Sequence, residues 1–162
     1  MLNRDDINAI IIPGLSAGTG ICALLVGLRE TSFEADVIFI APVLLFIVGI
    51  ASQKFRYRGE QEHTDFRPAI PFLAGSLAVL VGISLFHFIF IITMPSAVQE
   101  HPPFVPPDIP GRLSYAGIYF MILMPFYLLG SCFFGIFSWL GGKYLHRRQV
   151  SGKNPEVSKR AV

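Results

Sequence analysis

Charged residues are scarce in this chain of 162 residues, and cysteine is rarer still. Asp, Glu, Lys and Arg together make up 15% of the sequence, and there are only two cysteines. The Cys-x-x-Cys pair of thiol–disulfide oxidoreductases is missing, as are the Gly-x-Ser-x-Gly and His-Glu-x-x-His signatures of hydrolases and metalloproteases. We therefore expect no catalytic activity of the chain's own, and no metal site.

What the sequence has in abundance is uninterrupted apolar segments. Hydrophobic residues make up 52% of the chain, and the mean hydropathy is +0.57. A helix needs about 20 apolar residues to cross the hydrocarbon core of a bilayer, and in lipid a helix satisfies its own backbone hydrogen bonds. Four runs contain no Asp, Glu, Lys or Arg and approach or exceed this length: Ile7–Leu28, Val37–Gln53, Ala69–Met94 and Tyr115–Gly142.

These runs predict an all-α integral membrane protein built as a four-transmembrane-helix bundle. We place the bundle at residues 1–145, with spans at about 7–28, 32–55, 69–94 and 115–142. The second run is short, but its helix can continue beyond the membrane. The last residues, 146–162, are polar and basic, and we predict a disordered cytoplasmic tail. The cysteines, Cys22 and Cys132, both fall inside spans, where a free cysteine packs as a small apolar residue, so no disulfide is expected.

The basic residues predict the orientation. With four spans, both termini share one side with the loop between the second and third spans. That side holds eleven of the thirteen Lys and Arg residues, and the other side holds only Arg29 and Arg112. Basic residues accumulate on the cytoplasmic side of membrane proteins, so both termini are predicted to be cytoplasmic. A prokaryotic plasma (inner) membrane fits this asymmetry most directly. The net charge of +2 is therefore a topology signal, and nucleic-acid binding is not expected.

Small residues spaced four apart predict where helices pack closely. Such rows let two helix backbones approach each other in a membrane. The first span carries Gly14, Gly18 and Cys22, and the third carries Ala74, Ala78 and Gly82. The fourth offers Ser131 with Gly135 and Ser138 with Gly142. The first row can meet either another helix of the same chain or a helix of a partner subunit.

The predicted outer loop between helices 3 and 4 is rich in proline. Residues 95–114 hold six of the twelve prolines in the chain. This density favours a stiff, extended backbone, which loses little entropy when it docks on a partner. A connector that simply crosses the top of the bundle is an equally good reading.

Basic residues at the predicted inner surface are candidates for binding anionic lipid headgroups. The alternative is that they only set the topology. The candidates are Lys54, Arg56, Arg58, Arg147 and Arg148.

His87 is the one histidine inside a predicted span. An ionisable residue in the membrane is a candidate functional residue by default. Its aromatic neighbours in sequence suit a haem, which takes an axial imidazole, or a quinone, which takes a hydrogen-bond donor. The alternative is a neutral imidazole that bonds a carbonyl or hydroxyl on a neighbouring helix. The sequence requires no cofactor, and a second haem-ligating histidine would have to come from a partner chain.

The leading hypothesis is a non-catalytic structural or accessory subunit of a larger membrane complex. Its partners would be membrane lipids and other integral membrane subunits, and an energy-converting (electron-transport) assembly is the commonest setting for such subunits. One alternative is a small homo-oligomeric transporter or channel. A second is a haem- or quinone-binding redox subunit that uses His87.

Overall fold

The computed structural model describes residues 3–29, 34–57, 66–94, 106 and 108–153, and all the regular structure in these ranges is helical. The four helices are α1 (Arg4–Leu28), α2 (Glu34–Tyr57), α3 (Ala69–Ile92) and α4 (Ile109–Lys153). All four contain a stretch long and apolar enough to cross a membrane. The predicted all-α architecture with four candidate spans is thereby confirmed.

The exposed surface indicates that the surroundings are apolar. At most 33% of the residues in the most apolar window of any span are buried inside the protein. Large side chains such as Phe39 and Met121 are 75% and 79% exposed. Soluble proteins rarely expose such extensive apolar surface. The chain is therefore a multi-pass membrane protein.

Local sequence signals define where α1 and α4 begin. At the start of α1 the Asp6 carboxylate accepts a hydrogen bond from the backbone N–H of Asn3, at 3.1 Å, in a capping box. At the start of α4 the Asp108 carboxylate accepts one from the N–H of Gly111, at 2.8 Å. Pro110 fits there because the first turn of a helix needs no N–H donor from it.

α4 is longer than the predicted span at both ends. It begins at Ile109 and so takes in the last residues of the predicted proline-rich loop, most of which lies outside the described residues. It also continues through the first eight residues of the predicted tail, to Lys153. At about 1.5 Å per residue, its 45 residues extend about 67 Å, roughly twice the thickness of a hydrocarbon core. The basic residues at the start of the predicted tail, Arg147 and Arg148, are therefore helical.

α3 lies at the centre of the packing. It packs extensively against α1 on one side and α4 on the other, while α2 packs mainly against α4. Within the described ranges no Cα atom of α1 lies within 8 Å of a Cα atom of α4. The apolar core is small, with Leu45, Ala78 and Val79 at its centre.

The two predicted small-residue rows of α1 and α3 face each other. A Cβ added at Gly14 would lie 3.2 Å from the carbonyl oxygen of Ala74, and one at Gly18 would lie 3.0 Å from that of Ala78. One at Gly82 would lie 3.1 Å from the carbonyl oxygen of Gly18. Cys22, at the end of the α1 row, is buried. The first row therefore meets another helix of the same chain.

α4 approaches α2 and α3 even more closely. A Cβ at Gly141 would collide with the backbone carbonyl of Phe46, and one at Gly49 would collide with that of Ser138. A Cβ at Gly75 would collide with the Ser138 side chain on the other face of the contact. Two helix backbones can lie this close only because these positions lack side chains.

We predict that Gly141→Ala lowers the free energy of unfolding by about 1–3 kcal/mol, because the added methyl group meets backbone that cannot rotate away. Gly130→Ala in the same helix is the matched control, since a Cβ there has no atom within 4 Å. It should have no destabilising effect, because alanine is the better helix former. Steric-trapping measurements of unfolding in bicelles would compare the two, and equal stability would contradict the close α2–α4 contact.

Candidate functional site

A buried carboxylate ties together three segments at one end of the bundle. Asp6, 3% exposed, accepts a hydrogen bond from Nε of Arg56 at 3.0 Å and from Nη1 of Arg67 at 2.6 Å. Arg56 is also 3% exposed, whereas the side chain of Arg67 is about half-exposed. These contacts join the start of α1 to the end of α2 and to the segment that precedes α3.

The residues predicted to bind lipid headgroups differ in their exposure. Arg56 points inward to Asp6, while Lys54, Arg147 and Arg148 are exposed. Lys54 also lines a cavity of about 440 Å³ beside Phe55. Arg58 lies outside the described residues. Lipid-headgroup binding therefore stays a prediction, with Lys54 and the two α4 arginines as the residues placed for it.

His146 holds the part of α4 that extends beyond its predicted span against the rest of the bundle. Its Nδ1 lies 3.0 Å from the hydroxyl of Tyr57 at the end of α2. Its ring stacks on Phe66, with centroids 5.2 Å apart. α4 therefore contacts the end of α2 and the segment before α3 at this position.

His87 lies between α3 and α4 with both ring nitrogens in hydrogen bonds. Nε2 lies 3.1 Å from the carbonyl oxygen of Ala116, and Nδ1 lies 2.9 Å from the hydroxyl of Tyr127. A carbonyl oxygen only accepts, so Nε2 carries the proton; in the neutral imidazole the Tyr127 hydroxyl then donates to Nδ1. The rings of Phe88 and Phe120 pack within 6 Å of the imidazole.

This geometry bears on the predicted cofactor role of His87. The aromatic rings around His87 are of the kind that pack against a haem or a quinone. To serve as an axial haem ligand, however, the imidazole must offer a nitrogen lone pair to the iron. The one lone pair of the neutral ring already accepts the hydrogen bond from Tyr127, so ligation would have to break that bond. His87 as a cofactor ligand stays a prediction.

The two arginines of the opposite end both stabilise the carboxyl end of α3. Arg112, 8% exposed, donates to the carbonyl oxygens of Ile92 at 2.9 Å and Met94 at 2.6 Å, and from Nε to that of Pro106 at 3.0 Å. Arg29 donates to Oγ1 of Thr93 at 2.7 Å and lies over the Phe90 ring. A positive charge there also complements the negative end of the helix dipole. No local pattern marks this role, because Arg112 lies 20 residues from Ile92 and 18 from Met94 in the sequence.

No group of three or more His, Cys, Asp and Glu side chains that could hold a metal comes together in the described part of the chain.

Comparison with protein-family models, curated proteins and solved structures finds no match in any of the three. Function is therefore inferred from the geometry of the bundle itself.

We predict that Asp6→Asn destabilises the protein by about 3–5 kcal/mol, because it removes the carboxylate charge that binds the buried Arg56 guanidinium. Asp5→Asn, one residue away on the exposed face, is the control and should cost at most about 1 kcal/mol through the helix dipole. The double variant Asp6→Leu with Arg56→Met should regain most of the loss. Chemical denaturation in mixed micelles would measure all three, and a single Asp6 variant as stable as the Asp5 variant would contradict the role of the cluster.

The hydrogen bond between Tyr127 and His87 is expected to contribute about 1 kcal/mol, as hydrogen bonds between membrane helices do. Tyr127→Phe should therefore reduce stability by that amount. Tyr144→Phe is the control, because the Tyr144 ring is half-exposed and packs on Phe46. Equal unfolding free energies of the two variants would show that the bond contributes nothing.

Proposed function

We propose that this chain is a non-catalytic structural or accessory subunit of a larger membrane complex, and that it binds a neighbouring integral membrane subunit along α4. The observation that supports the proposal is the fraction of residues in each candidate span that is buried inside the chain. Buried residues make up 11% of the most apolar window of α4, against 28–33% for the other three. The longest helix is thus also the one with the most uncovered surface.

The disposition of the polar groups supports the same role. Among the described residues, the buried ionisable side chains at both ends of the bundle bind partners inside the chain: Asp6 with Arg56, and Arg112 with backbone carbonyls. His87 likewise bonds Ala116 and Tyr127. A transport pathway or a redox site needs polar groups that can exchange partners with a substrate or cofactor. A subunit that holds its neighbours in place does not.

The uncovered surface of α4 has the character of a helix-docking face. Phe126, Leu129 and Phe133 are 69%, 72% and 60% exposed. They line, with Gly130, an apolar groove of about 720 Å³. Bulky side chains that flank a glycine leave room for the backbone of another helix, and aromatic residues are enriched at protein interfaces. A transmembrane helix of the larger subunit is the occupant we propose.

The proposed orientation places both termini in the cytoplasm, in a prokaryotic plasma membrane. Contacts of Asp6 with Arg56 and of Tyr57 with His146 bring the start of α1, the end of α2 and the inner part of α4 to one end of the bundle. That end carries most of the basic residues, as the positive-inside rule expects. An electron-transport assembly is the parent complex that we favour among larger complexes.

Site-specific photo-crosslinking in native membranes tests the docking face. A photoreactive phenylalanine at Leu129 should form an adduct with one larger subunit, and that subunit should co-purify stoichiometrically in mild detergent. The same probe at Val43 is the matched control, because this α2 residue is also apolar and is 60% exposed. It should give no adduct with that subunit, since lipid is its expected neighbour.

Three results would contradict the proposal. Equal adducts from both positions would remove the docking face. Recovery of the chain alone as a defined homo-oligomer would favour a transporter or channel. A visible absorption band of the purified protein that disappears in His87→Ala would favour a redox subunit.

A further inference from the structure

Gln53 places an unpaired amide in the interior of the bundle. The residue is 0% exposed, and neither Oε1 nor Nε2 has a hydrogen-bond partner. A Cβ added at Gly142 would lie 3.2 Å from Cγ of Gln53 and 2.7 Å from Cβ of Pro71. The amide therefore projects from α2 into its contact with α3 and α4.

An unpaired amide at this position is energetically costly. Each buried donor or acceptor left without a partner costs about 1–3 kcal/mol. Exchanging the oxygen and nitrogen by rotating the amide gains nothing, because both atoms lack partners. Buried polar groups without a protein partner are usually satisfied by an ordered water or an ion.

The chemistry of the amide selects among these ligands. A cation would satisfy only Oε1 and leave the Nε2 hydrogens unpaired. An anion would satisfy only the Nε2 hydrogens and leave Oε1 unpaired. Water both donates and accepts, carries no charge and is small enough for a close helix contact.

We infer that the Gln53 amide binds at least one buried water molecule between α2, α3 and α4. Ser76 supports this reading, because its buried Oγ is also unpaired and faces Gly135 on the same face of α4. Ser138 lies between these two levels and donates to the Pro71 carbonyl oxygen at 2.6 Å. The inner half of the α4 contact is thus a polar, hydrated seam. This inference does not depend on the proposed function.

Solid-state NMR on the full chain in lipid bilayers tests the water site. Gln53 is the only glutamine that follows a serine, so labelling with carbonyl-¹³C serine and uniformly ¹³C,¹⁵N-labelled glutamine assigns its backbone nitrogen without any mutation. Correlations within the labelled residue then assign Nε2. Magnetisation should pass from water to the Nε2 hydrogens of Gln53. This transfer should persist when a membrane-impermeant paramagnetic agent is added to the aqueous phase.

Arg148→Gln supplies the matched control, because it places a glutamine at an exposed position on the inner part of α4. Its signal should be lost when the agent is added. Absence of any transfer to Gln53 would overturn the inference and leave a dry, unpaired amide. Transfer that the agent abolishes would overturn it as well, since the amide would then contact bulk water.

Discussion

The close approach of α4 to α2 and α3 is the constraint on which the rest of the bundle depends. In lipid, hydrocarbon surrounds each helix whether or not it is packed, so helices associate through van der Waals contact and interhelical hydrogen bonds. Both require short distances between backbones. Ser138 lies where the requirement is strictest, because its carbonyl faces Gly49 of α2 and its hydroxyl bonds the Pro71 carbonyl of α3. With this contact in place, the end of α2 and the start of α3 come together, and Arg56 and Arg67 can bind one carboxylate.

Apolar length made the helices predictable, whereas contacts between them were predictable only where a pattern existed. The rows that include Gly14 and Gly82 repeat every fourth residue, so each is visible within one helix. Gly49 has leucine and glutamine four residues to either side, and no row marks it. What makes Gly49 a contact residue is Ser138 on another helix, 89 positions later. A single sequence carries no record of that pairing.

The polar residues show the same division between local and distant information. As an acidic residue in the first turn of α1, Asp6 has a helix-capping role that depends only on the local sequence. Its binding of Arg56 and Arg67 spans 50 and 61 residues of sequence, and it removes Arg56 from the surface where a lipid headgroup would be found. The partners of His87 lie 29 and 40 residues away, although a bond to a carbonyl or hydroxyl of another helix was one of the two readings of this residue.

These long-range pairs also bear on the unequal distribution of Lys and Arg between the two ends of the bundle. Arg29 and Arg112 are the two basic residues at the proposed outer end, and both bind the carboxyl end of α3. Arg112 donates to backbone carbonyl oxygens, and Arg29 donates to the Thr93 hydroxyl. The negative end of a helix dipole offsets part of their charge, so they oppose the positive-inside arrangement less than free arginines would. At the other end Asp6 offsets Arg56, and exposed residues such as Lys54 and Arg147 supply the net positive charge. With the buried ionisable groups at both ends engaged within the chain, apolar surface remains for contact with neighbours, and α4 exposes the most of it.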